Sequence, residues 1–314
     1  MAKNPFIDKP IGQFFEDYAN GISHPFFNQF NSLILLVVFE VGLAFSRDPQ
    51  LVNYNAVDTW FIIPVKYIQL GTLPFSVLLI AYFGGNVIFD WLGIKTPGEI
   101  RSDGKERKRR EQEGRRDWQP APKGPFRPNW WYQLFIVAEG FVWGGLIYVL
   151  LQWGVFFLLK FLFGDFSIPP SIDAVATLKH YLSNPLQDVA LAFGAGFYEE
   201  FVFRGLLFMG LVSLAGRVKF MKKLKSDMMP VQGVFLKIPA YKPKSNAFVN
   251  LLMIGLSIYV LSHYIVPFGD IPNIFTIVYR AFFGYAMYRI FASRGFSIVI
   301  WTHAWYDFLY FVFV

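Results

Sequence analysis

GFYEEFVFRGLLF (196–208) places Glu199, Glu200 and Arg204 inside an apolar run that extends over residues 186–214. About 20 apolar residues are what a helix needs to cross the hydrocarbon of a bilayer. A charge near the middle of such a helix costs roughly 2.5–3.5 kcal/mol on insertion scales, so charges there usually face a protein interior and serve a function. Glu199 stands about 13 residues from one end of the run and about 15 from the other, close to mid-membrane at ~1.5 Å per residue. The stretch therefore predicts a helix inside a membrane bundle, with a polar site at its centre.

The rest of the chain agrees with that class. Of 314 residues, 54% are hydrophobic, 20% aromatic and only 16% charged, whereas a soluble domain carries about 25% charged residues. The expected fold is all-α, a polytopic transmembrane helical bundle of about seven spans (six to eight). The spans read as 31–46, 70–93, 130–162, 186–214, 247–266, 273–292 and 297–314. The third and fourth exceed one bilayer width, which predicts tilt, a kink or extension beyond the membrane. Gly194 and Gly196 are expected to loosen the fourth, and residues 59–69 read as an interfacial or re-entrant helix. Three regions follow: 1–129 with two spans and a basic loop, 130–185 with a long span and external loop, and 186–314 as the core that holds the motifs.

Two basic stretches set the orientation. Residues 101–128 hold ten Lys/Arg against five Asp/Glu, and residues 217–244 hold eight against the single Asp227. Loop Lys/Arg are retained on the cytoplasmic side. Seven spans with the N-terminus inside place 23 of the 29 Lys/Arg there, four outside (Arg47, Lys66, Lys160 and Lys179) and two within spans (Arg204 and Arg280). The expected location is a bacterial inner or plasma membrane, with the N-terminus and basic loops cytoplasmic. The basic loops are expected to meet anionic membrane lipid, with no nucleic-acid partner. No basic segment followed by a short apolar stretch and a cleavage site opens the chain, so no removable signal peptide is expected. The absence of cysteine excludes thiol nucleophiles, thiolate metal sites and disulfides.

Helical spacing separates the two glutamates. Glu200 and Arg204 are four apart with the acid first, the better order for a same-face ion pair. Glu199 points about 100° away around the helix. Arg204 can thus neutralise Glu200 and leave Glu199 a free carboxyl group, and a lone buried carboxyl is a useful general base near neutral pH. Of the four histidines, His24 and His180 fall in loops and read as bystanders. His263 ends YVLSH (259–263), with Tyr259 one turn before it. His303 opens HAWYD (303–307), so Asp307 sits at i+4, where a carboxylate can bond one imidazole nitrogen and set the tautomer of the other. Glu199, His263 and His303 together could activate water, by general base action or on a metal. No HExxH or GxSxG motif offers another hydrolytic route. Two other readings stay open on these residues: a buried network that only fixes packing, and the proton relay of a transporter.

The three motifs resemble the CAAX-protease and bacteriocin-processing membrane peptidases, the CPBP or Abi group. That pattern is EExxxR, then FxxxH, then HxxxN or HxxxD on successive spans. Here it reads EEFVFR (199–204), YVLSH (259–263) and HAWYD (303–307), followed after the first motif by RGLL and preceded at the last by YRIFASRGFS (288–297). The resemblance covers residues 186–314. It implies an intramembrane endopeptidase acting on a peptide or protein substrate, with Glu199 and His263 activating water, His303 and Asp307 at the oxyanion, and Glu200 with Arg204 as a structural ion pair. Members are described as metalloproteases, although an archaeal relative looks like a metal-free glutamate peptidase. No cofactor is favoured, and a zinc version would use Glu199, His263 and His303. The alternatives are a non-catalytic membrane scaffold or bacteriocin-immunity factor, and a proton-coupled transporter. Three departures stand out: Tyr259 for Phe, a long 217–244 loop, and Asp307 where Asn is common. An ionised Asp307 accepts hydrogen bonds and cannot donate to an oxyanion.

Overall fold

The computed structural model describes residues 25–45, 73–113, 119–164, 185–208 with 210, 246–264 and 274–313. Among these the chain is helical, with no strand. Residues 59–69, the 217–244 loop, His24 and His180 lie outside the described residues.

Helix α1 spans Pro25–Phe45, α2 Leu73–Leu92 and α3 Pro97–Gln112. Helix α4, Trp130–Val149, runs through a π-helical stretch, Leu150–Val155, into α5, Phe156–Phe163. Helix α6, Pro185–Glu200, continues as a second π-helical stretch, Phe201–Phe208. Then come α7, Asn246–Ser262, α8, Ile274–Arg294, and α9, Phe296–Phe313. The two overlong apolar runs are thus the two that carry π-helical turns, the wider winding that often marks functional sites.

Helix α9 forms the centre, packed between α4 and α6, and α1 packs chiefly on α6 while also reaching α9. Small residues let it approach. A Cβ added to Gly140 or Gly144 of α4 would lie 2.5 Å from Trp301 Cβ or 2.8 Å from the Thr302 carbonyl. On α6, a Cβ at Gly196 would lie 2.8 Å from the Ala304 nitrogen and the Ile300 carbonyl. Close backbone approach at small residues is how helices associate where no water drives them together. Gly196 and Gly194, which packs on the Phe39 ring, are therefore contact points and not the loosening points expected from the sequence. The winding changes after them, at Glu200.

Polar side chains lie inside this bundle. Asn31 of α1 donates to the Phe27 carbonyl (2.7 Å) and to Gln133 of α4 (3.0 Å), and accepts from Gln133 (2.5 Å) and Trp301 (2.6 Å). Its full hydrogen-bonding capacity is used. Asn28 accepts from the hydroxyl of Ser297 at 2.7 Å, tying α1 to the start of α9. Outside, apolar residues such as Leu78, Val142, Leu146 and Phe161 are exposed. One helix, Trp130–Gly154, is by itself long and apolar enough to cross a membrane, and only 28% of its apolar window is buried in the bundle.

Helix α3 is the element that the sequence reading treated as part of a basic loop. It bends away from α2 by 65°. Thr96 caps it reciprocally with Glu99, and Pro97 opens its first turn. Lys123 bridges Asp90 (2.5 Å) at the end of α2 to Glu99 (2.7 Å) in α3, which anchors the charged helix to the bundle.

Candidate functional site

The site is built where α6 turns into its π-helical continuation. Gly196 brings α9 close, and one turn later Glu200 meets His303 directly: the ring Nδ1 donates to Glu200 Oε1 at 2.7 Å. Both side chains are buried. The same oxygen lies 3.0 Å from Arg204 Nη1, so one carboxylate holds an arginine from its own helix and a histidine from α9. Arg204 is fully enclosed. Its guanidinium sits 4.7 Å from the ring centres of Tyr259 and of Tyr288, and Nη2 donates to the Gly284 carbonyl at 3.4 Å. A guanidinium between two ring faces is held by the ring quadrupoles as well as by its ion pair.

The other nitrogen of His303 faces two more acids. Nε2 lies 3.3 Å from Asp307 Oδ2 and 3.9 Å from Glu199 Oε2. Carboxylates on both edges of one imidazole require a proton on each ring nitrogen or a proton on a facing carboxyl group. Glu199 Oε2 is buried and has no hydrogen-bond partner among the described residues. At 3.9 Å its approach to Nε2 is too long for a direct hydrogen bond.

Glu199, Glu200, Arg204, His303 and Asp307 are thus brought together, but two expectations need correction. Glu200 is not confined to its pair with Arg204, because it also orients His303. Asp307 does not sit on the nitrogen opposite the reacting side; it shares Nε2 with Glu199. The i+4 spacing placed Asp307 beside the ring but could not say which edge it meets, and only the packing of α6 against α9 brings Glu200 to the other. Glu199 and His303 meet at one level of the bundle.

His263 makes its hydrogen bonds within its own helix. It lies in the turn that ends α7, buried, with Nδ1 donating to the Tyr259 carbonyl at 2.9 Å and its ring edge-on to Tyr259 at 4.7 Å. Among the described residues its hydrogen bonds run to Tyr259 and Ser262 and none runs to Glu199 or His303. No group of three His, Asp or Glu side chains among the described residues is arranged to hold a metal ion, the trio considered for zinc included.

Helix α8 contributes what sequence reasoning missed. Phe283 packs edge-on against His303 at 4.8 Å. Gly284 takes the bond from Arg204, and Tyr288 covers the guanidinium. Arg280 lies one turn before Gly284 in the same helix. The available signal was Arg280, set in the apolar part of the helix on the same face as Phe283 and Gly284. No family model, curated protein or solved structure matches the chain.

Proposed function

We propose that the chain is a membrane-embedded endopeptidase that hydrolyses a peptide bond with water activated by Glu199. The bundle would span the membrane about seven times, as supported by its exposed apolar surface and buried polar interior. The observation that carries the hydrolytic reading is the buried Glu199 Oε2, without a hydrogen-bond partner among the described residues and 3.9 Å from His303 Nε2. Water placed between them would give its proton to Glu199 as its oxygen adds to the substrate carbonyl carbon. Breakage of the C–N bond then returns that proton to the leaving amine. Glu200 fixes the His303 ring through Nδ1, and Nε2 faces the reacting atoms. The order of the three motifs, which resembles the CAAX-type membrane peptidases, supports the same chemistry.

A second reading rests on the three carboxylates around His303, which could pass a proton across the bundle in a transporter. One experiment separates the two. Glu199→Gln keeps the shape and removes the base, so cleavage of reporter peptides by the reconstituted protein should fall by roughly 10²–10⁴-fold. Equal cleavage by wild type and Glu199→Gln at equal folded protein would overturn the peptidase reading. Proton uptake by vesicles in the absence of any cleavage would favour the relay.

A further inference from the structure

Tyr259 is fully buried, yet its hydroxyl has no hydrogen-bond partner among the described residues. A buried unpaired hydroxyl is destabilising, and phenylalanine would fill the same space without that cost. The ring, by contrast, is held from every side. It packs edge-on with Phe203 (5.1 Å) and His263 (4.7 Å), stacks with Phe283 at 6.3 Å, and carries the Arg204 guanidinium on its face. Helix α8 leaves room for it only because residue 284 is glycine: a Cβ there would lie 2.6 Å from Tyr259 Cδ1. The fold therefore fixes where the hydroxyl sits and makes no use of it.

The surroundings indicate what the hydroxyl is for. The Tyr259 ring reaches the site by contact: Phe283 packs on both it and His303, and Arg204 on its face pairs with Glu200, next to Glu199 and its unused Oε2. The neighbouring side chains face other charges first: His303 Nε2 lies against Asp307 and Glu199. Arg204 is enclosed between two rings and paired with Glu200. His263 Nδ1 is spent on the Tyr259 carbonyl. Asp307, while ionised, only accepts. A phenol is a neutral donor that stays protonated at neutral pH without any supporting partner.

Resting on the hydrolytic reading above, we infer that Tyr259 is a catalytic residue whose hydroxyl donates to the carbonyl oxygen of the scissile bond as that oxygen becomes an oxyanion. As water adds to the carbonyl carbon, the C=O electron pair moves to oxygen and the water proton moves to Glu199. Tyr259 stabilises the oxyanion by hydrogen bonding and transfers no proton. Collapse of the intermediate re-forms C=O, expels the amine and gives it the proton from Glu199. One water is consumed and one peptide bond is broken.

Tyr259→Phe tests this because it removes one oxygen and keeps the ring. Loss of one oxyanion donor lowers kcat by about 10²–10³-fold. The reconstituted full-length variant should lose about 100-fold in kcat, keep its KM within about threefold, and melt no lower than wild type, since an unpaired buried hydroxyl has been removed. A merely structural tyrosine would leave kcat unchanged. Wild-type kcat in Tyr259→Phe alongside an inactive Glu199→Gln would overturn the role of Tyr259 alone. A fully active Glu199→Gln would overturn the hydrolytic reading and this inference with it. Tyr259→Leu, which removes the cover from Arg204, should instead reduce folded protein, and a Tyr259→Phe that did the same would place the hydroxyl in folding and refute the proposal.

Discussion

Glu200 and Arg204 stand four residues apart, as do Glu106 and Arg110, and the two pairs close to 3.0 and 2.8 Å. A list of ion pairs would rank them as equals. The first has both side chains at 0% exposure inside α6 and its π-helical continuation; the second lies on α3 at 32% and 28%, open to water on one side. Water screens the outer pair and would replace either partner if it were lost. Inside, nothing would. A third pair of the same spacing, His303 and Asp307 at 3.3 Å, lies between them, with Asp307 at 20% exposure. Spacing and distance are nearly constant across the three, so burial has to set their rank.

Glu200→Gln should have the largest effect of the three. Removing one partner of a buried ion pair costs about 3–5 kcal/mol, because the other is left charged in the interior. Here Arg204 would be stranded between Tyr259 and Tyr288, and His303 would lose a carboxylate at Nδ1. The yield of monodisperse folded protein and its melting temperature should both fall steeply. Replacing both Glu200 and Arg204 by methionine removes the stranded charge, so folding should recover much of the loss while cleavage does not, because His303 remains unheld. A single Glu200→Gln variant as stable as wild type would break the ranking by burial.

The same contrast explains what could be read from the chain. The i, i+4 order of Glu200 and Arg204 and their place in an apolar run were enough to predict a buried pair, and the apolar runs located the helices described. Three things were hidden for physical reasons. The first turns of α1 are rich in Asn, Gln and Ser, which look like loop residues until Gln133 and Trp301 are found bonding them across the bundle. Helix α3 carries no apolar stripe to betray it, although its Thr96–Glu99 capping box was legible. The edge of His303 that each carboxylate meets depends on the approach that Gly196 permits, a contact between segments more than a hundred residues apart.

The intermediate pair should show an intermediate effect, and in activity more than in stability. Asp307 accepts at His303 Nε2, and the amide oxygen of asparagine can accept the same bond. Asp307→Asn should therefore keep substantial cleavage, whereas Asp307→Leu should lose most of it, with little change in melting for either because Asp307 is partly exposed. If Asn is as damaging as Leu at equal folded protein, charge and not hydrogen bonding is what Asp307 supplies.

The smallest effect belongs to Glu106, where the pair is easiest to see and matters least. Hydrogen bonds from Arg109 and then Arg110 hold its carboxyl down at about 2. A folded-state value below the unfolded one means that the contribution is present above the unfolded carboxylate range. It is lost as pH falls from there through about 2. Throughout the neutral range the pair is therefore fully formed. Exposed pairs of this kind nonetheless contribute little, because solvent screens them and two long side chains must be ordered to make them. Glu106→Gln should leave the melting temperature of the whole bundle unchanged, since α3 is anchored by Lys123 and capped by Thr96. Its only trace should be faster amide exchange within residues 97–112, by no more than about twofold at low salt and vanishing at high salt. A clear drop in global stability would mean that the outer pair supports the bundle after all, and that burial alone does not rank the three.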